Sequence, residues 1–402
     1  LVFTHLWRIL MQYRPFGKLD WKVSALGFGA MRLPVIDGDT SKIDEAEAIR
    51  MIRHAIDQGV NYVDTAWPYH SGMSEGVVGK ALKDGYRERV KLATKMPTWK
   101  IETYADFDTY FNQQIERLQT DHIDFYLLHA LQKPIWEKMK ELNALDWFRK
   151  AKADGKIKHI GFSFHDDLTL FKEIVDYCDD WEFCQIQYNY IDVKNQAGTE
   201  GLKYAAAKGL AVIIMEPLLG GSLVNPPEPV QALWDTAAIK RAPADWALQW
   251  IWDQPEVSLL LSGMSKMDQV EQNLASACRS AVNSFTAEEK ALVDRVRETY
   301  DQLRAIPCTA CEYCQPCPQE LRIPAMFSLF NDGKMYNTLD VMRQQYKGWL
   351  PEGKRAADCV ACQECESKCP QHIAISQWMP LVDEVLMQGV SYDEALKRQP
   401  GR

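Results

Sequence analysis

The sequence predicts an α/β protein: a (β/α)8 barrel of the TIM type followed by a smaller, mostly helical second domain. Three observations carry this. Eight short apolar runs alternate with longer amphipathic stretches from about residue 24 to residue 277, the rhythm of parallel strands joined by crossover helices. No glycine-rich GxGxxG turn follows a strand, as a doubly wound sheet would normally bring, and Gly27-Phe28-Gly29 alone is too short a match. Beyond Phe285 the texture changes, and eight of the eleven cysteines crowd into two short runs. The expected organisation is an N-terminal extension over 1–11, the barrel over 12–283 and the second domain over 284–402.

The first ten residues are apolar and aromatic but interrupted by His5 and Arg8. No small-residue cleavage site follows them, so they read as a loosely attached tail rather than a signal peptide. The expected barrel strands are 24–31, 60–65, 90–94, 123–129, 157–162, 183–188, 211–215 and 257–261. Each is apolar nearly throughout, as strands buried on both faces must be. Segments 43–58, 103–118 and 142–154 carry helical patterning, and Gly59, Gly155 and Gly209 close helices just before strands. A charged helix over 286–303 then leads into a cysteine-rich segment at 306–323. A helical stretch from 325 to about 349, a second cysteine-rich segment at 358–373 and a final amphipathic helix complete the chain.

With 47% hydrophobic and 25% charged residues, the 402-residue chain is neither disordered, collagenous nor coiled-coil. A net charge of -9 argues against a nucleic-acid partner. No run of about 18 apolar residues exists to cross a membrane, and a cytoplasmic setting is expected.

The first cysteine run is Cys308-x2-Cys311-x2-Cys314-x2-Cys317-Pro318; the second is Cys359-x2-Cys362-x2-Cys365-x3-Cys369-Pro370. A three-residue step lets successive thiolates reach different irons of one [4Fe-4S] cube. In two-cluster ferredoxins the fourth cysteine of each run ligates the other cluster. The expected sets are therefore Cys308, Cys311, Cys314 and Cys369 on one cluster, and Cys359, Cys362, Cys365 and Cys317 on the second, in a ferredoxin-like iron–sulfur domain. Zinc and disulfides stay as alternatives, although zinc usually takes CxxC pairs a dozen or more residues apart and disulfides suit oxidising compartments. The first run departs from the pattern, with x2 rather than x3 before Cys317. Cys178, Cys184 and Cys278 sit in apolar sequence and read as buried thiols.

Active-site residues of such barrels cluster where strands end. Asp64, Lys95 and His129 stand at the ends of three consecutive predicted strands, with Tyr69 on the intervening loop and Ser74-Glu75 just beyond. These are the ingredients for giving a proton to a carbonyl oxygen. A phenol is too weak an acid at neutral pH unless a neighbouring ammonium stabilises its anion. Lys95 supplies that charge, Asp64 holds Lys95, and His129 positions the carbonyl or relays protons. Trp67, His70, Trp99 and Trp136 are candidate lining residues.

Asp64-Thr65-Ala66-x-x-Tyr69, with the strand ends at Lys95 and His129, resembles the aldo/keto reductases over about residues 12–280. More narrowly, the chain resembles the branch of that family with a C-terminal ferredoxin-type domain. The resemblance implies that Asp64, Tyr69, Lys95 and His129 form a catalytic tetrad and that NAD(P)H delivers hydride without flavin. It also implies that Ser163 and Gln185 bind the nicotinamide carboxamide, with Met215 where the family often stacks an aromatic ring. Gly263, Ser265 and Lys266 then serve the phosphate and ribose, at a helix start suited to an anion, and Asn273 serves the adenine. Phe164 stands where the family has Asn, and Gln269 where it commonly has Arg, so the choice between NADH and NADPH stays open.

The two halves together imply an oxidoreductase that interconverts a small-molecule carbonyl and an alcohol, with Tyr69 as general acid/base. The two [4Fe-4S] clusters would pass electrons to or from an external carrier of ferredoxin or flavodoxin type. Nicotinamide gives two electrons at once and a cluster takes one, so a flavin would be the usual mediator. Two other readings remain: an NAD(P)H-dependent carbonyl reductase with purely structural clusters, and a nicotinamide-binding redox sensor with little turnover.

Overall fold

The structure, a computed structural model, describes residues 10–400; residues 1–9 of the expected extension lie outside the described residues. The chain forms two compact units. One takes the residues up to Gly220 together with Ala244–Phe285, and the other takes Gly221–Pro243 and the chain from Thr286 onward. Residues 221–243, which lie within the barrel's stretch of sequence, thus group with the second unit.

An antiparallel hairpin of β1 (Tyr13–Phe16) and β2 (Leu19–Ser24) opens the first unit. Its strand alternation is hidden in the sequence because the buried face of β1 carries Arg14 and Phe16 while Tyr13 points outward. The turn needs glycine: Gly17 has φ +54, and a Cβ there would lie 2.5 Å from the Ala211 nitrogen. Phe16 enters the floor of the barrel and packs on Phe125, Tyr62 and Phe183.

Eight parallel strands close the barrel: β3 (Leu26–Gly29), β4 (Tyr62–Asp64), β5 (Lys91–Met96), β6 (Ile123–Leu131), β7 (Ile157–Phe164), β8 (Phe183–Gln187), β9 (Ala211–Met215) and β10 (Val257–Gly263). They run in sequence order around the ring, with β10 closing against β3. The expected fold is borne out. Inward positions in the lower half are apolar, with Phe16, Tyr62, Phe125, Leu127, Ile213 and Leu259 among the core residues. Toward the strand C-termini the same inward rows turn polar, at Asp64, Lys95, Ser163 and Gln185, all at most 2% exposed. That switch puts the chemistry at the C-terminal mouth.

The second unit is helical. Helix Ala287–Leu303 starts with a capping box between Thr286 and Glu289, and Arg241 pairs with Glu289 at this end. Helices Ile323–Met335, Leu339–Trp349 and Ile375–Leu386 bury Phe327, Phe330, Tyr346, Met379 and Val382 in one core. The two cysteine runs repeat one backbone pattern. Left-handed residues flank the second cysteine of each, at Ala310 (φ 54) and Glu312 (φ 62), then at Ala361 (φ 53) and Gln363 (φ 60). Glu320 (φ 55) and His372 (φ 52), each three residues after the final cysteine, are left-handed as well. A helix begins three residues later in both cases, at Ile323 and Ile375.

Candidate functional site

Lys95 rises from β5 among oxygen atoms. Its Nζ donates to both Asp64 carboxylate oxygens, at 2.7 and 2.9 Å, and to the Thr65 carbonyl at 2.9 Å. It approaches Tyr69 Oη at 3.3 Å. The His129 ring meets Tyr69 edge to face at 6.2 Å between centroids, and Trp99 lies 5.1 Å from His129 on the open side. All four residues of the expected constellation are brought together.

Burial works against the Lys95 ammonium, but Asp64 and Tyr69 outweigh it and hold its pKa above the ordinary value. Tyr69 departs from the expectation that Lys95 lowers it. Loss of solvation pushes the phenol up, the Lys95 charge pulls it down, Asp64 pushes it up again, and the net direction is upward. The phenol therefore stands protonated at neutral pH. His129 is pushed well below its ordinary pKa by burial, then by Lys95 and His165. It is a neutral imidazole, and its buried Nδ1 has no partner.

A polar layer behind the constellation fixes it. Glu75, fully buried, accepts from Thr94 (2.7 Å) and Gln114 (2.6 Å) and pairs with Arg117 (3.3 Å). Gln114 also donates to the Lys95 carbonyl at 3.0 Å. Arg117 lies over the Trp67 ring at 3.7 Å, and Trp67 packs edge-on against Tyr110. Trp67 is thus part of this support. Trp136, 1% exposed, belongs to the core, and His70 is tied into the backbone of a neighbouring loop through both ring nitrogens. Of the four candidate lining residues, Trp99 is the one that stands beside His129.

The residues expected to hold a nicotinamide cofactor lie on successive strand ends. Ser163 Oγ accepts from the Ala130 N–H at 2.7 Å, which leaves its own O–H to donate. Gln185 donates to Met215 Sδ at 3.5 Å, and its buried Oε1 has no partner. An orphaned acceptor beside a hydroxyl donor fits a carboxamide, which carries one acceptor and two N–H groups. At the end of β10, Gly263 lies against Arg32: a Cβ there would be 3.1 Å from Arg32 Cβ. Arg32 also reaches toward Gly220, whose added Cβ would be 3.1 Å from Nη2. Ser265 binds Gln269 Oε1 through its N–H at 2.9 Å, and Lys266 is exposed at the start of helix Met267–Cys278. Asn273 is buried and donates to Ser262 Oγ at 3.0 Å.

In the second unit a small cavity is lined by Cys308, Cys311, Cys314 and Cys369, with Ile323, Phe327 and Ile375 as its apolar wall. These are the residues expected to share one cluster. All eleven cysteines are free thiols. Burial, joined by the charge of neighbouring cysteines, raises the pKa of Cys308 and Cys314. A bound cation offsets such a penalty, since ligation deprotonates the thiol. Four thiols around an apolar-walled cavity fit a [4Fe-4S] cube. Of the other set, Cys317 and Cys359 pack on the same helical core. Cys365, pushed up to about 11 by burial, also feels Cys359 and Cys314, and Cys362 is exposed. Of the three remaining cysteines, Cys184 alone is fully buried.

Residues 25–298 match the aldo/keto reductase family. The chain belongs to that family. Residues 307–374 match the 4Fe-4S dicluster domain. Among similar proteins, the L-galactose dehydrogenase of Arabidopsis thaliana is 29% identical over 313 residues, covering 73% of this chain and 96% of that one. The NADH-specific methylglyoxal reductase of Escherichia coli (strain K12) is 27% identical, covering 66% and 93%. Of solved structures, the holo form of aldo-keto reductase AKR11C1 from Bacillus halodurans superposes with TM-score 0.59 at 28% identity, covering 71% of this chain and 96% of that one. An aldo-keto reductase from Klebsiella pneumoniae in complex with NADPH gives 0.57 at 25%, covering 72% and 95%. The chain is therefore an aldo/keto reductase-type oxidoreductase carrying a 4Fe-4S ferredoxin-like domain. Among the described residues no helix is long and apolar enough to cross a membrane.

Sequence reasoning missed two residues at the mouth of this aldo/keto reductase. Arg32, three positions beyond the end of β3, places a cation between the β9 and β10 loops; a basic residue at that spacing was the available signal. His165 follows Phe164 at the end of β7, where burial lowers its pKa and neighbouring Gln196 offsets part of that fall. It adds a second neutral imidazole near Lys95 and His129.

Proposed function

We propose that the barrel interconverts a carbonyl and an alcohol with Tyr69 as the acid/base. The observation that carries this is the Lys95 ammonium, held by Asp64 and 3.3 Å from Tyr69 Oη. When bound, NAD(P)H supplies the hydride; the partnerless Gln185 Oε1 and the Ser163 hydroxyl would hold its carboxamide, and Arg32, Gly263, Ser265, Lys266 and Asn273 its phosphate, ribose and adenine. In the reductive direction Tyr69 Oη gives its proton to the carbonyl oxygen as negative charge develops there. Lys95 stabilises the phenolate left behind, and Asp64 keeps Lys95 in place and charged. Neutral His129 aims the carbonyl, an uncharged ring there avoiding a second cation beside Lys95. Replacing Tyr69 with Phe is expected to slow turnover of methylglyoxal, the aldehyde named for one relative, at least about a thousandfold while the nicotinamide cofactor still binds. Turnover within tenfold of the unmodified protein would contradict this reading.

For the second unit we propose two [4Fe-4S] clusters with crossed fourth ligands: Cys308, Cys311, Cys314 and Cys369 on one, and Cys359, Cys362, Cys365 and Cys317 on the other. The cavity lined by the first four supports this. The charge contact between Cys314 and Cys365 supports neighbouring clusters. Such clusters carry single electrons, and exposed Cys311 and Cys362 would face an external carrier of ferredoxin or flavodoxin type. Exchange with a hydride donor requires a two-electron to one-electron converter such as a flavin. Adding NADPH to anaerobic, iron-loaded protein tests that link. Bleaching of the broad cluster absorbance is expected if a converter is bound; no bleaching, in protein that dithionite does bleach, would uncouple the clusters from nicotinamide.

A further inference from the structure

Two consecutive residues behind Tyr69 are left-handed, His70 at φ 52, ψ 47 and Ser71 at φ 55, ψ 31. Non-glycine residues adopt this conformation only where their surroundings over-determine it. The surroundings here are the His70 ring itself, 8% exposed. Its Nε2 accepts from the Leu33 N–H at 2.9 Å, and its Nδ1 faces the Thr40 carbonyl at 2.9 Å. A carbonyl only accepts, so the proton sits on Nδ1 and one tautomer satisfies both contacts.

Both partners belong to one folded-back segment after β3. Ile36 N–H donates to the Lys42 carbonyl (2.9 Å), Asp44 N–H to the Pro34 carbonyl (2.9 Å), and Val35 bridges Ile43. The segment leads directly into helix Glu45–Asp57, capped by Asp44. The imidazole therefore staples the turn behind Tyr69 to a firmly built element. The other backbone contacts around Tyr69 are local to the turn: its N–H reaches the Ala66 carbonyl at 3.2 Å, the Met73 N–H reaches the Tyr69 and His70 carbonyls, and Gly72, with φ +89, follows the left-handed pair. A right-handed His70 would send the chain away in another direction and swing Tyr69 off Lys95.

We propose that His70 is the positioning residue of the proton donor. Its ring, bridging Leu33 and Thr40, holds the left-handed His70–Ser71 turn and so sets Tyr69 Oη against Lys95 Nζ. The proposal rests on the reading of Tyr69 as proton donor. His70 touches none of the reacting atoms, and its effect passes through the geometry of one side chain.

The test is a double-mutant cycle between His70→Ala and Tyr69→Phe, reading methylglyoxal reduction with NADPH, NADPH affinity by fluorescence, and a crystal structure of His70→Ala. A displacement near 1 Å costs about a hundredfold in rate, so kcat should fall by about that factor in His70→Ala with NADPH affinity unchanged. In the Tyr69→Phe background the same change should alter residual turnover by less than threefold. The crystal structure should show Tyr69 Oη beyond hydrogen-bonding distance of Lys95. His70→Gln, which keeps a donor and an acceptor, should recover part of the loss, and it serves if His70→Ala does not fold. Unimpaired kcat in His70→Ala, equal losses in both backgrounds, or a retained Tyr69–Lys95 contact would overturn the proposal. Tyr69→Phe turning over normally would instead overturn the proton-donor reading on which it rests.

Discussion

Replacing Lys95 with Met keeps the length of the side chain and removes its charge. The contact at stake is the one to Tyr69 Oη, 3.3 Å long and buried. At an effective dielectric constant of about 20, unit charges at that separation attract by about 5 kcal/mol. That attraction develops only as Tyr69 loses its proton, so it acts on the rate rather than on substrate binding. The expected loss in kcat is between about 10³ and 10⁴-fold, with KM little changed. Stability responds separately. Lys95→Met leaves the Asp64 carboxylate buried without its partner, at a cost of about 3–5 kcal/mol, or of order 10 °C in the barrel's unfolding temperature. Removing both charges in Asp64→Asn/Lys95→Met should return most of that stability and none of the activity. Steady-state NADPH oxidation and thermal unfolding on the same preparations give both numbers. A kcat loss under tenfold in Lys95→Met, or activity recovered in the double variant, would refute the assigned role of the ammonium.

Four further outcomes are expected. Burial and the nearby charges keep His129 neutral, so its ring resonance, identified in labelled protein by its absence in His129→Gln, should titrate well below the pH at which a free imidazole does. Its folded pKa is depressed, so it costs stability only as pH falls below the unfolded value of about 6.5; a midpoint at 6.5 would contradict this. Crossed ligation predicts that Cys369→Ser costs about half the iron, that adding Cys308→Ser costs no more, and that adding Cys359→Ser removes nearly all of it. Arg32→Met should weaken NADPH binding about tenfold and flatten its salt dependence, with iron content unchanged. Gln185→Leu should weaken it by a similar factor without affecting salt dependence, as loss of a single hydrogen bond does.

The eight barrel strands were legible because each is a short apolar run buried on both faces, and the grouping of Asp64, Lys95 and His129 because they stand toward the ends of consecutive strands, with Tyr69 on the loop after the first. The hairpin before the barrel was not, since β1 buries Arg14 and exposes Tyr13, inverting the usual alternation. The support beneath Lys95 was hidden for another reason. Glu75, Thr94, Gln114 and Arg117 meet only once the helices following β4 and β5 dock on their strands, and no spacing in the sequence announces that. His70 illustrates the limit most sharply. Beside Tyr69 it reads as a pocket residue, yet both its ring nitrogens serve backbone groups more than 29 positions away. The cysteine runs are the opposite case: their three-residue step is plain in the sequence, and left-handed residues stand on either side of Cys311 and Cys362.

The central claim is that this barrel moves a hydride between nicotinamide and a carbonyl carbon with Tyr69 supplying the proton. The most direct measurement uses NADPH carrying deuterium in both positions at the nicotinamide C4, methylglyoxal as acceptor, and mass spectrometry of the product. The account predicts one deuterium on the former carbonyl carbon, formed at least about a thousandfold more slowly in Tyr69→Phe. An alcohol free of deuterium, or one labelled at an unchanged rate in Tyr69→Phe, would contradict it.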